Sequence, residues 1–351
     1  MSLAAFPGLI LYFLAILGAS AAVTLLLLRR FRIIDLPNER SSHSTPTPRG
    51  GGLGIVIGFF LALLSIHLFG GNVLAAPLTT LHFAGFLLAA LLIAGVSLHD
   101  DMAGQGYASK LLVQLIAVAM VMACGSLIEA RQIPWLPDWL AWLRWPITLL
   151  WLIGLTNAYN FMDGLDGMAG GTAVVVAACF ALICWQQGLP FLALAALAIC
   201  AGSCGFLLFN WPPARIFMGD VGSTFLGFSF AAFALLAAGN AAPRLLLVMP
   251  LLLLHYIFDT VFTFCRRLLA GEKLTQAHRG HLYQLLNRSG LSHRSVSLLY
   301  AGLALAQGLA ALWFSNATDD HARLWIFLPF LLGYTLLAFR ITHQARRNGL
   351  I

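Results

Sequence analysis

Two adjacent carboxylates, Asp100 and Asp101, close one apolar stretch, and Lys110 opens the next. At a membrane boundary such a pair can hold a divalent cation, or one member can act as a base because its neighbour raises its pKa. A lone pair is more simply a solvated helix end, so its weight comes from the other motifs. The segment 157–167 (Asn-Ala-Tyr-Asn-Phe-Met-Asp-Gly-Leu-Asp-Gly) spaces Asn157 from Asn160, and Asp163 from Asp166, by three. A helical turn sets each pair on one side, and Gly164 and Gly167 permit close approach of a ligand to the backbone. Carboxamide and carboxylate oxygens in this array suit Mg²⁺, or Mn²⁺, together with a phosphate. In Phe217-Met218-Gly219-Asp220-Val221-Gly222-Ser223-Thr224, Asp220 is either a helix cap or a metal ligand beside a glycine-flanked backbone that receives phosphate oxygens. His278-Arg279-Gly280-His281 offers a guanidinium and two imidazoles to a diphosphate.

These residues need elements to hold them, and the composition says which. With 60% hydrophobic and 9% charged residues in a chain of 351, the bilayer is the solvent. Apolar runs near 3–28, 52–70, 79–98, 109–128, 138–156, 171–187, 190–209, 221–239, 244–264, 295–315 and 323–341 predict an all-α polytopic membrane protein. It has about eleven transmembrane helices and a single domain over 1–351. The first run, Leu3 to Leu28, is too long for a signal-peptide core and is expected to remain as a span. An N-terminus outside and a C-terminus in the cytoplasm puts sixteen of the 20 Lys and Arg residues on the inner side. That topology and anionic headgroups account for the net charge of +7 without nucleic acid.

On this assignment the inner loops 29–51, 99–108, 157–170, 210–220 and 265–294 carry all the motifs, so the chemistry is expected at the cytoplasmic face. Ionisable groups at span ends and at membrane depth are costly and therefore functional candidates. In the loop 35–52, prolines stiffen and glycines admit turns, which suits a loop lining a site. Arg266, Arg267, Arg288 and Arg294 read as positive-inside residues lying on lipid. The six cysteines lack metal-site spacing and read as packing residues.

Taken together and in this order, the Asp-Asp pair, the 157–167 segment, the 217–224 segment and the His278–His281 loop resemble the polyprenyl-phosphate N-acetylhexosamine-1-phosphate transferase family. The resemblance covers roughly residues 30 to 300. It implies a bacterial inner-membrane enzyme with its active site in the cytoplasm. The enzyme would transfer a HexNAc-1-phosphate from a UDP-N-acetylhexosamine to undecaprenyl phosphate and release UMP. By the same resemblance Asn160 and Asp220 hold Mg²⁺, Asp100 and Asp101 lie by the attacking lipid phosphate, and Lys110 helps bind phosphate. Phe217 stacks on uracil, and Asp163 and Asp166, with Asn157, serve the nucleotide pocket. His278, Arg279 and His281 contact diphosphate or sugar. The resemblance is closest to the branch that initiates O-antigen of lipopolysaccharide, and a homodimer is compatible with it. The peptidoglycan branch, which transfers phospho-MurNAc-pentapeptide, carries three consecutive histidines where this chain has His278-Arg279-Gly280-His281. A second departure is the absence of a lysine three residues after the Asp pair, where Ala103 and Gly104 follow Met102.

The rival from another class is a transporter using intramembrane carboxylates. It predicts acids near mid-span, whereas the inner acids cluster at loops and span ends, and only Asp259 in the ninth span fits it. A non-catalytic lipid-binding scaffold has no reason to place oxygen-ligand arrays on three inner connections.

Overall fold

The computed structural model describes residues 6–30, 33–36, 45–71, 77, 80–104, 106–129, 138–273, 278–317 and 325–351. The middle of the expected 35–52 loop, residues 37–44, lies outside the described residues, as do 274–277. The helices are α1 (Phe6–Arg30), α2 (Leu53–Phe69), α3 (Leu81–Ala103), α4 (Tyr107–Ala123), α5 (Arg144–Phe161), α6 (Met168–Gln186) and α7 (Pro190–Asn210). They continue with α8 (Asp220–Asn240), α9 (Val248–Leu252), α10 (Leu254–Leu269), α11 (Leu282–Arg288), α12 (His293–Asn316) and α13 (Phe327–Arg347). Between α1 and α2, β1 (Ile33–Asp35) pairs antiparallel with β2 (Thr47–Arg49), Ile33 opposite Arg49.

A helix overlaps each of the expected apolar runs. By length and composition, seven of the described helices can cross a membrane, or eight if the bent pair around Leu253 is one span. Helices α2 and α4 are apolar but only 17 residues long. The ninth run, read from the sequence as one helix, is broken: the segment ending at Leu252 and α10 diverge by 69°. The break is at Leu253, which leaves helical geometry at φ −109°, ψ 17°.

Two other helices run further than expected and carry site residues with them. Thr80 caps α3 by accepting the Phe83 N–H at 3.3 Å, and the helix then continues to Gly104, whose φ of +65° ends it. Asp100 and Asp101 are therefore in the last turns of a helix and not in a loop. Likewise α5 continues to Phe161 and takes in Asn157 and Asn160.

Helix α8 is the core: every residue from Val221 to Ala238 is buried. It packs against α3, α5 and α2, while α7 packs against α6, α1 and α2. Small residues allow the approach. A Cβ on Gly227 would lie 2.7 Å from Tyr159 Cβ, which is closer than atoms pack. Phenylalanines fill the remainder, with ring centroids of Phe59 and Phe225 5.4 Å apart and those of Phe86 and Phe228 6.1 Å apart.

Candidate active site

The motif-bearing termini meet at one end of this bundle. Asp100 ends α3, Lys110 lies in the first turn of α4, and Asp220 opens α8. The Lys110 ammonium contacts Oδ2 of both Asp100 and Asp220. Asp100 is buried, and its Oδ1 has no hydrogen-bond partner among the described residues. Asp101, adjacent to it, points elsewhere: Oδ1 accepts the Asp220 N–H and Oδ2 the Val221 N–H, each at 3.1 Å. The sequence treats the two aspartates as equivalent, but the structure separates them. Asp101 caps α8, and Asp100 faces the lysine.

The hairpin locks against the same place. Arg49 donates through Nε and Nη2 to the Asp101 carbonyl at 3.1 and 2.6 Å. Phe217 N–H donates to the Pro48 carbonyl, and the Gly51 and Gly52 N–H groups donate to the Phe217 and Met218 carbonyls at 2.8 to 2.9 Å. Phe217 is half-buried in this seam, and the glycines make it possible. A Cβ on Gly52 would come within 2.8 Å of the Gly222 backbone N.

Asn160 reaches the site, its Oδ1 accepting from Ser223 Oγ at 2.6 Å in the first turn of α8. Asn157 instead joins α5 to α4, its Nδ2 donating to Gln114 Oε1 at 2.7 Å and to the Ile153 carbonyl at 2.9 Å. Asp163 follows in the loop. Burial, and then the negative charges of Asp220, Asp101 and Asp166, push its carboxyl up to about 8. Asp166 is a tie between segments: Oδ2 accepts the Ala214 N–H at 3.0 Å, and Oδ1 lies 3.2 Å from His293 Nδ1. Although burial opposes ionisation, the His293 and Ala214 hydrogen bonds hold Asp166 below the usual carboxylate range. Asn210 closes this corner, accepting the Gly167 N–H and donating to the Ile216 carbonyl, each at 2.9 Å.

The 278–281 segment docks on the end of α5. The ring centroids of His281 and Phe161 are 5.9 Å apart, and the Tyr283 hydroxyl donates to the Phe161 carbonyl at 2.9 Å. His278 Nδ1 accepts the Gly280 N–H at 3.1 Å, so Nε2 carries the ring hydrogen. Burial, with His281, Arg267 and Arg266 nearby, lowers His278 to about 4. Burial thus favours the neutral imidazole, which presents Nε2–H as a hydrogen-bond donor. The carbonyl of half-buried Arg279 accepts from Arg288 at 3.0 Å.

Even with Asp163 protonated, the carboxylates of Asp100, Asp101 and Asp220 outnumber the cations Lys110 and Arg49 that touch them, so the place favours added positive charge. Among the described residues no three His, Cys, Asp or Glu side chains form a ready-made metal cage. A hard cation bound here would have to be held by one or two carboxylates and completed by substrate phosphates. The unpartnered Asp100 oxygen, Asp220 and Asn160 are donors of the right kind.

Several residues at the site had no individual role in the sequence reading: Arg49, Gln114, Asn210, Ser223, Tyr283 and His293. Asn210 carried a signal, a carboxamide closing an apolar run just before Trp211-Pro212-Pro213.

Residues 83–238 match the model of glycosyl transferase family 4. The chain is 30% identical over 307 residues to the probable undecaprenyl-phosphate N-acetylglucosaminyl 1-phosphate transferase of Bacillus subtilis, covering 85% of this chain and 81% of the relative. It is 32% identical over 348 residues to the decaprenyl-phosphate N-acetylglucosaminephosphotransferase of Mycobacterium tuberculosis, covering 88% and 85%. Similarity to the phospho-N-acetylmuramoyl-pentapeptide-transferase of Alkaliphilus oremlandii, 44% over 69 residues, covers 20% of this chain and 21% of that one.

Proposed function

We propose that this chain, which belongs to glycosyl transferase family 4, moves an N-acetylhexosamine 1-phosphate from a UDP-sugar to undecaprenyl phosphate. The observation that carries the reading is the convergence of Asp100 and Asp220 on the Lys110 ammonium, beside Asn160 and Asp163, at one end of a bundle of membrane-length helices. A phosphate oxygen of the lipid attacks the sugar-bearing β-phosphorus. The bond from that phosphorus to the bridging oxygen breaks, and UMP leaves with the electron pair.

Phosphoryl transfer needs positioning and charge stabilisation more than covalent help. Mg²⁺, or Mn²⁺ in its place, would be held by Asp220 and Asn160 and would neutralise charge on the diphosphate. Lys110 can exchange a carboxylate for an incoming phosphate oxygen, and Asp100 orients the attacking phosphate. A phosphate monoester is largely ionised near neutrality, its second pKa being about 6, so direct attack needs no strong base. Asp101 acts through α8, holding Asp220 in register. Phe217 would meet the uracil, Asp163 and Asp166 would shape the nucleotide pocket, and His278, Arg279 and His281 would face the diphosphate and sugar.

Helices α2, α4 and α13, with the eight spans above, make eleven crossings, the N-terminus outside and the site at the cytoplasmic face of the inner membrane. The product would begin a cell-surface polysaccharide such as O-antigen. The N-acetylglucosamine branch is favoured over the peptidoglycan branch because similarity to the former spans most of the chain.

The test is incubation of purified protein with Mg²⁺, undecaprenyl phosphate and a panel of UDP-sugars, followed by identification of UMP and the lipid product. Absence of UMP with every UDP-N-acetylhexosamine would overturn the reading.

A further inference from the structure

Asp259 was the one acid that fitted a transporter, because it lies inside the ninth apolar run. Its surroundings say otherwise. It sits in the second turn of α10, 1% exposed. Its Oδ1 accepts the Leu282 N–H at 2.9 Å and the Thr263 hydroxyl at 3.2 Å, and lies 3.2 Å from His281 Nδ1. Its Oδ2 accepts the Tyr300 hydroxyl at 2.9 Å and the Tyr283 N–H at 3.2 Å. One buried carboxylate thus gathers donors from α10, the 278–281 segment, α11 and α12.

A buried charge persists only when its lone pairs are satisfied, and here four of the five partners are N–H or O–H donors, His281 being the fifth. An ionised carboxylate requires Nδ1 of His281 to carry the hydrogen, which leaves Nε2 as the ring nitrogen available to a ligand. The imidazole is also held beside Phe161, the residue after Asn160, and its centroid is 5.0 Å from that of His278. The bend at Leu253 matters because α10 departs by 69° from the segment before it. The contacts of Asp259 connect the departing helix with the segment that follows it.

We propose that Asp259 is a positioning residue for the transfer, fixing the ring plane and tautomer of His281 so that Nε2 meets the diphosphate of the UDP-sugar. This rests on the reading that His281 belongs to the donor site. Nothing in the arrangement requires Asp259 to touch substrate or to carry a proton across the membrane.

The experiment is a double-mutant cycle on the full-length protein, with Asp259→Asn, His281→Ala and the pair. It measures equilibrium binding of UDP-N-acetylglucosamine with Mg²⁺ in the absence of lipid, together with KM for donor and for undecaprenyl phosphate. Asp259→Asn should weaken donor binding about 10- to 100-fold, the worth of a lost hydrogen bond to a charged group. It should leave the acceptor KM unchanged and cause no further loss in the His281→Ala background. Additive losses, or equal changes in both KM values, would make Asp259 a general structural residue and overturn the proposal. Unchanged donor binding in His281→Ala would overturn the donor-site reading itself, a distinct result. If Asp259→Asn is not recovered folded, Tyr300→Phe removes one donor while keeping the carboxylate. Its smaller loss of donor affinity must also vanish in the His281→Ala background.

Discussion

Asp101 accepts the backbone N–H of Asp220 at 3.1 Å, so the carboxylate ending α3 caps the helix that Asp220 begins. Negative charge at a helix N-terminus is favoured by the exposed N–H groups and the helix dipole. Gly219, with φ +74°, makes room: a Cβ there would lie 2.6 Å from Asp101 Oδ2. Because Asp100 adjoins Asp101, the cap also sets the register in which Asp100 and Asp220 both reach Lys110.

Asp101→Ala removes both acceptors and strands two N–H groups. It is expected to cost about 1–3 kcal/mol of stability as well as turnover. Asp101→Asn keeps one acceptor oxygen and should lose less. The check is thermal unfolding in detergent alongside UMP release. If the alanine variant kept wild-type stability and rate, the cap would contribute nothing to registering Asp220.

The transferase motifs were legible in the sequence because their spacing expresses a chemical need, and several residues sharing that need fall within a few positions of one another. The division of labour inside them was not. Asp100 and Asp101 look alike on the page, and only the approach of α8 decides that one caps and the other faces Lys110. Asn157 and Asn160 are spaced as a pair, yet Gln114 draws one away and Ser223 holds the other. The broken ninth run was also hidden, since its apolar pattern continues through Pro250 and Leu253. Such outcomes depend on contacts between residues far apart in the chain, which a local pattern does not contain.

Lys110→Met should lower kcat by about 100- to 1,000-fold, the usual loss when a charged or hydrogen-bonding group facing the reacting phosphate is removed. Affinity for Mn²⁺, followed by its paramagnetic signal, should hold or increase, because Asp100 and Asp220 then lack their ammonium partner. Retained turnover would reduce Lys110 to a counter-ion for the carboxylates.

Asp163 gives a pH dependence with a definite sign. Its carboxyl is raised from 3.8 to about 8, so the folded state holds a proton that the unfolded state releases. Its contribution to stability is therefore fully present below about pH 3.8 and is lost as pH rises toward 8. In chelator-treated protein, Asp163→Asn should flatten the fall in unfolding temperature between pH 5 and 9, with the variant the more stable at the alkaline end. A divalent cation stabilises the ionised carboxyl, so Mg²⁺ binding near pH 7 should release protons and tighten with rising pH. Calorimetry in buffers of different ionisation enthalpy measures this directly. A pH-independent affinity would disconnect Asp163 from the cation.

The membrane orientation underlies all of these site assignments, because carboxylates on opposite faces cannot serve one reaction. Asp100 and Asp220 share Lys110, and the 278–281 segment docks on α5 next to Asn160, so Ala103 and Ser289 must lie on the same side. In the proposed topology, drawn from the Lys and Arg distribution, that side is the cytoplasm. Single cysteines at Ala103 and Ser289 in a cysteine-free background should be protected from an impermeant maleimide in intact cells and labelled after permeabilisation. Asn316 closes α12 at its other end and bonds Gln186 at the end of α6. A cysteine there should label from outside without permeabilisation. Labelling of Ala103 and Ser289 from outside with Asn316 protected would invert the assigned orientation while leaving the shared site intact. Labelling of Ala103 and Ser289 from opposite faces would separate the carboxylate pair from the histidine segment and end the mechanism argued from their meeting.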